Sequence, residues 1–125
     1  MKLITTHASG HYSAGVISGN TLYVSGQLAE NPVTGEIPDG ITAQTRACLE
    51  NVETVLLAAG LTRNHVVMCR AYLADHTYWA DFNKEYAAFF GDHKPARIAV
   101  PIKGFKPGVL IEIEVVAEIN PCHEV

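Results

Sequence analysis

A chain of 125 residues with 48% hydrophobic and 18% charged residues can bury one core and is too apolar to be disordered. Its formal charge of −4 argues against a nucleic-acid binder that works by neutralising phosphates. No apolar run approaches the roughly 20 residues that a membrane-spanning helix needs.

The N-terminal stretch MKLITTHASG has one lysine and no apolar segment of the kind a signal peptide carries. The three cysteines, Cys48, Cys69 and Cys122, are odd in number, widely spaced and free of any C-x-x-C pair. They fit a reducing cytoplasm better than a disulfide framework.

Residues 1–125 read as a single domain without repeat or linker, with a flexible tail expected over 119–125. AGVIS (14–18), Gly19-Asn20 and TLYVSG (21–26) form an apolar hairpin around a turn dipeptide. NPVTGEIPDG (31–40), with two prolines and two glycines, is a loop. From Ile41 the period changes: Ile41, Cys48, Leu49, Val52, Val55, Leu56 and Ala59 recur at helical steps, and Gly60 follows as a C′ residue.

VVMCRAYLA (66–74) suits a central strand. Thr77 is placed to cap a second helix with the inner stripe Trp79, Phe82, Tyr86, Phe89 and Phe90, closed by Gly91. Two further strands, about 97–102 and 109–118, are joined by a turn from Gly104 to Gly108.

Two helices and five or six strands make an α+β domain. Each helix has one apolar stripe, so both should cover the same sheet face. In the last strand Val109, Ile111, Ile113, Val115 and Ala117 belong under the helices; Leu110, Glu112, Glu114, Val116 and Glu118 point the other way. Arg97, Ala99 and Pro101, taken as lying on the neighbouring strand, and Met68, Arg70 and Tyr72 are expected to extend this second surface. Such a mixture of apolar and charged residues predicts a subunit interface with polar clefts, near which Arg97 and Glu112 meet.

Arg97 interrupts the apolar run of HKPARIAVPI (93–102). A guanidinium there is either a bidentate fork for a carboxylate ligand or the partner of Glu112 or Glu114. Glu112, inside an apolar strand, is either an acid–base group with a raised pKa or half of an interface salt bridge. Sequence physics alone does not choose. Tyr12 can place a phenol in a cleft or pack at a strand end; Asn83 can offer an amide to a ligand or face solvent.

The six histidines lack metal-ligand spacing, and no nucleotide-binding loop or nucleophile elbow occurs. Cofactor-free chemistry on a small anion, or simple binding, is what these residues favour.

GHYSAGV (10–16), VSGQLAENPVTGEIPDGI (24–41), QTRACLENVETVLLAAGL (44–61), FNKEYAAFF (82–90), KPAR (94–97) and LIEIEVVAE (110–118) resemble, in order and spacing, the RidA family. It is also called YjgF/YER057c/UK114 and carries the old label endoribonuclease L-PSP. The resemblance spans about residues 5 to 119. It implies a chorismate-mutase-like fold of the bacillus type, a mixed sheet with two helices on one face, assembled as a homotrimer with clefts between subunits.

It also implies an enamine/imine deaminase that hydrolyses 2-aminoacrylate, 2-iminopropanoate and 2-iminobutanoate to 2-oxo acids and ammonia, without metal or cofactor. The activity protects pyridoxal-phosphate enzymes from reactive intermediates. By motif, Arg97 would hold the substrate carboxylate, Glu112 would orient or deprotonate the attacking water, and Tyr12 would lie near the imine. Ser25, Gly26 and Asn83 would line the cleft, and Ala99 would offer its backbone N–H to the carboxylate.

His11, Ala14 and Ile98 depart from the family pattern and bear on substrate preference. A non-catalytic ligand-binding or chaperone-like trimer is the first rival reading. The second is an endoribonuclease or translation inhibitor, which the negative charge opposes.

Overall fold

The computed structural model of the chain describes residues 1–6 and 8–119. Its elements run β1 (Lys2–Ile4), β2 (Gly15–Ser18), β3 (Thr21–Gln27), α1 (Ile41–Ala58), β4 (Val66–Leu73), α2 (Trp79–Phe90), β5 (Ala96–Pro101) and β6 (Ile111–Glu118). They build an α+β fold on one mixed sheet of six strands in the order β1-β2-β3-β6-β4-β5. All neighbours are antiparallel except β4 and β5. The tail expected from 119 onward falls outside the described residues except for Ile119, whose N–H donates to Asn20 O at 2.7 Å.

The hairpin forms where expected. Gly19 at φ 61 takes the left-handed turn position that side chains disfavour. The α1 stripe is buried as read, with Gln44 and Thr45 added, except that Ala59 is the half-buried C-cap beyond the helix. At its end Gly60 N donates to Leu57 O and Leu61 N to Leu56 O, a Schellman closure with buried Leu61 sealing it. Gln44, only 2% exposed, donates to Pro38 O and Gly108 O and accepts from Leu110 N. It satisfies backbone groups of both segments that flank the start of β6.

The core is a single layer between helices and sheet. Leu49, Val52 and Leu56 of α1 and Phe82 and Phe89 of α2 meet Leu22, Cys69, Ala71, Ile111, Ile113 and Val115 of the sheet. Cys48 and Cys69 are free, buried thiols that pack as small core residues. Burial raises both, Cys69 to about 11, so neither is a poised thiolate. Cys122 lies outside the described residues.

Four expectations need correction. β1 was not foreseen; its three residues pair with β2. Thr77 does not cap α2. It sits in a 3-10 turn over 76–78 whose cap is Asp75, which accepts from Thr77 N at 2.9 Å. Trp79, the first residue of α2, is 45% exposed and not part of the inner stripe.

The fourth concerns β5. The segment from Gly104 to Gly108 does not join a β5–β6 hairpin, because β6 enters between β3 and β4, leaving β5 at the edge. The chain passes from β4 through α2 to β5, a crossover that makes that pair parallel. In register, Arg97, Ala99 and Pro101 stand beside Cys69, Ala71 and Leu73, all buried under the helices. Paired residues share a sheet face, so these three belong to the helix side and not to the open face.

The open face carries rows Tyr23–Val116–Met68, Glu114–Arg70–Ile98 and Glu112–Tyr72–Val100. Both helices leave it uncovered.

Candidate active site

β3 bulges where it passes β6. Val24 pairs with Val115 and Gln27 with Ile113, so Ser25 and Gly26 together face a single residue, Glu114. The bulge is pinned from behind: Ser25 N donates to Ala14 O at 2.9 Å, and Ser25 Oγ donates to Ser13 O at 2.6 Å. The Glu112 carboxylate lies directly against the bulge. A β-carbon on Gly26 would come within 2.6 Å of Glu112 Oε2, so close approach is what requires glycine here.

Tyr12, Gly26, Asn51, Lys106 and Glu112 line a cleft of about 390 Å³ at this end of the sheet. Tyr12 is 51% exposed, so its phenol is free to meet a ligand. The Asn51 amide donates to Leu28 O and Glu30 O, fixing the strand exit beneath the cleft. Lys106 forms an ion pair with Glu30 across the rim.

Glu112 is half-buried, and its carboxyl is pushed above the usual carboxylate range, first by burial and then by the charge of Glu114. Glu114 accepts a hydrogen bond from the Tyr72 hydroxyl, and that bond, with burial, raises the Tyr72 phenol. A carboxyl that holds its proton more tightly than usual in a cleft is suited to general acid–base work at neutral pH.

Arg97 is elsewhere. Its Nη1 donates to Asn83 Oδ1 at 2.8 Å, and its guanidinium lies 4.8 Å from the Tyr86 ring centroid, 5.4 Å from Phe82 and 5.7 Å from Trp79. Among the described residues Arg97 forms no ion pair. The expected meeting of Arg97 with Glu112 therefore does not occur within one chain. They are two strands and three residues of register apart on opposite faces, on the order of 14 Å between backbones.

The candidate residues thus fall into two groups. Tyr12, Ser25, Gly26 and Glu112 come together at the β3 bulge; Arg97, Asn83 and Ala99 gather where α2 overlies the edge strand β5. As an edge, β5 leaves half its backbone N–H and C=O groups pointing away from β4. Sequence reasoning missed that Tyr86 and Trp79 surround the guanidinium, because at helical spacing they read as core. A hydroxyl-bearing ring three residues after Asn83 was the available signal. Among the described residues no cluster of His, Cys, Asp and Glu has the geometry of a metal site.

The family model described as endoribonuclease L-PSP matches residues 4–119. A RutC family protein of Pyrococcus horikoshii is 45% identical over 109 residues, 86% of each chain. The 2-iminobutanoate/2-iminopropanoate deaminase of Escherichia coli K12 is 40% identical over 113 residues, 88% of each chain. The crystal structure of the E. coli YjgF gene product superposes with a TM-score of 0.91 at 38% identity, covering 96% of this chain and 100% of that one.

The chain belongs to the RidA family. Its three departures from the family pattern now have places. His11 is exposed next to Tyr12, and Ile98 is 49% exposed on the open face of β5. Ala14 is buried and supplies the carbonyl that pins Ser25. Of the three, only His11 adjoins a cleft-lining side chain. In this RidA-family chain no helix among the described residues is long and apolar enough to cross a membrane.

Proposed function

We propose that this chain is an enamine/imine deaminase that hydrolyses short 2-imino acids, 2-iminopropanoate and 2-iminobutanoate, to 2-oxo acids and ammonia. It acts as a homotrimer with its clefts between subunits. The observation that carries this reading is the division of labour on one chain. An oriented guanidinium with no carboxylate partner among the described residues sits at the β5 edge, and a proton-avid carboxylate sits in the cleft at the β3 bulge. Neither can reach the other's ligand within a chain, so a substrate smaller than the gap needs the two groups from neighbouring copies. The 40% identity to a deaminase of this name supports the same reaction.

In this mechanism Arg97 of one copy binds the substrate carboxylate through two parallel N–H bonds, assisted by an N–H of the β5 edge near Ala99. Glu112 of the other accepts a proton from water as the oxygen adds to the imine carbon. Glu112 passes that proton to the nitrogen, giving the neutral carbinolamine, with the Tyr12 phenol close by. It then carries the carbinolamine hydroxyl proton to the same nitrogen as C=O forms, the C–N bond breaks and the carboxylate is left ionised. Water and imine leave as 2-oxo acid and ammonia. Fixed positions and one proton shuttle supply most of what this reaction needs, so no metal or cofactor enters.

The deciding experiment couples the protein to a threonine dehydratase, which releases 2-iminobutanoate, and follows formation of 2-oxobutanoate. Adding the protein should accelerate the appearance of the oxo acid. An unchanged rate at catalytic and stoichiometric concentrations would reject the deaminase reading in favour of a binding-only trimer.

A further inference from the structure

We infer that Tyr86 is the positioning residue of the carboxylate fork: its ring face is the floor that sets the plane of the Arg97 guanidinium. The inference rests on the deaminase reading for the ligand, but its geometry stands on this chain alone.

Arg97 emerges from an edge strand, where only one side is supported by a neighbour. A long side chain there has many rotamers, and a bidentate fork works in only one plane. α2 removes that freedom at two points. Asn83 Oδ1 accepts from Nη1 at 2.8 Å, which fixes one corner of the fork. Tyr86 lies one helical step further on, with its ring centroid 4.8 Å from the guanidinium carbon, closer than Phe82 or Trp79. Stacking against a ring face restrains a flat cation while leaving its outer N–H groups free.

Tyr86 is itself held in place. It is 7% exposed and packs between Phe82 at 5.5 Å and Phe90 at 4.8 Å. Its hydroxyl is buried against the Cys69 thiol, without a hydrogen bond of good geometry among the described residues. A phenylalanine would avoid that cost, and the ring, not the hydroxyl, does the work assigned here.

The test measures dissociation constants of the full-length protein for 2-oxobutanoate, the product carboxylate, and for its neutral amide, by calorimetry. Tyr86→Leu should weaken 2-oxobutanoate binding roughly 3- to 30-fold while changing amide binding little. Tyr86→Phe should restore anion binding to within about twofold of wild type. Tyr86→Met, whose flexible side chain refills the space, replaces the leucine variant if that one does not fold. Equal weakening of anion and amide would mark a structural role and overturn the inference. So would a Leu or Met variant that binds the anion like wild type, or a Phe variant as weak as Leu. A wild type that binds 2-oxobutanoate but hydrolyses no imine would sink the deaminase reading and leave the role of Tyr86 to these variants. A wild type that binds no 2-oxo acid overturns both.

Discussion

Gly26 gives way to Glu112: the carboxylate occupies the space in which any other residue at position 26 would hold its β-carbon, with only 2.6 Å to Oε2. The contact links a backbone irregularity, the β3 bulge, to the position of the one cleft carboxylate on β6.

Gly26→Ala should therefore separate fold from function. The clashing atoms are the end of a flexible side chain, so Glu112 can swing aside and stability should change by less than about 1 kcal/mol. Imine hydrolysis should fall about 10- to 100-fold, because a displacement of about 1 Å in a catalytic group is enough for that. Thermal midpoints and initial rates on the same preparation check both halves. A variant with full activity would mean that Glu112 does not need this seat.

The raised Glu112 carboxyl sets a pH dependence of definite sign. Folding strengthens its hold on the proton, first through burial and then through Glu114. Its contribution to stability is thus fully present below the ordinary carboxylate pKa and is lost as pH rises through the raised one. Glu112→Gln, which never ionises, should raise the thermal midpoint relative to wild type once the pH exceeds the raised carboxyl range and make no difference below the ordinary carboxylate range. Activity runs the opposite way, since the base must be ionised: wild-type rate should decline as pH falls through the same window. Glu112→Gln should lose a factor on the order of 10²–10⁴ in rate. A flat stability difference between pH 4 and pH 7 would show that Glu112 is not perturbed.

Much of this arrangement is legible in the sequence, and the failure that matters most for the site is one of strand order. Alternation along β6 separated Ile111, Ile113, Val115 and Ala117 from Glu112 and Glu114 correctly, because a continuous strand carries its own phase. It could not give the phase of β5 relative to β6. A turn between consecutive strands suggests neighbours, whereas β4 lies between the two. Strand order is a long-range property decided by the α2 crossover, and assigning the wrong neighbour moved Arg97 to the wrong face. The motif resemblance implied clefts between subunits but did not say that Arg97 and Glu112 lie on opposite sheet faces of one chain. Lys2–Ile4 is too short to display a period. The Gly26–Glu112 contact depends on a bulge that no local pattern announces.

The open sheet face predicts assembly. Tyr23 and Ile98 are 51% and 49% exposed and flank Val116, Met68, Arg70 and Tyr72 on the side without helices. Sedimentation at micromolar concentration should give three times the chain mass. Ile98→Glu, which sets a charge in that surface, should shift the protein toward smaller species and lower activity with it. A monomer with full deaminase activity would show that one chain completes the cleft, contrary to the separation of Arg97 from Glu112.

Arg97 is the residue on which function and stability should diverge most. Asn83 is its only hydrogen-bonded side-chain partner among the described residues, and both are partly exposed. Arg97→Ala therefore strands no fully buried charge and should cost the fold about 1 kcal/mol or less. Losing a charge-assisted bidentate contact of about 2–5 kcal/mol should slow hydrolysis roughly 30- to several-thousand-fold if the contact is felt fully at the transition state. Arg97→Lys should fail nearly as badly, since an ammonium keeps the charge but loses both the fork and the flat face that rests on Tyr86. Assembly and initial rates belong on the same samples. An Arg97→Ala oligomer that is intact and fully active would remove the carboxylate role. One that dissociates would show that Arg97 finds a structural carboxylate on a neighbouring copy, and the guanidinium would then be an interface ion and not a substrate fork.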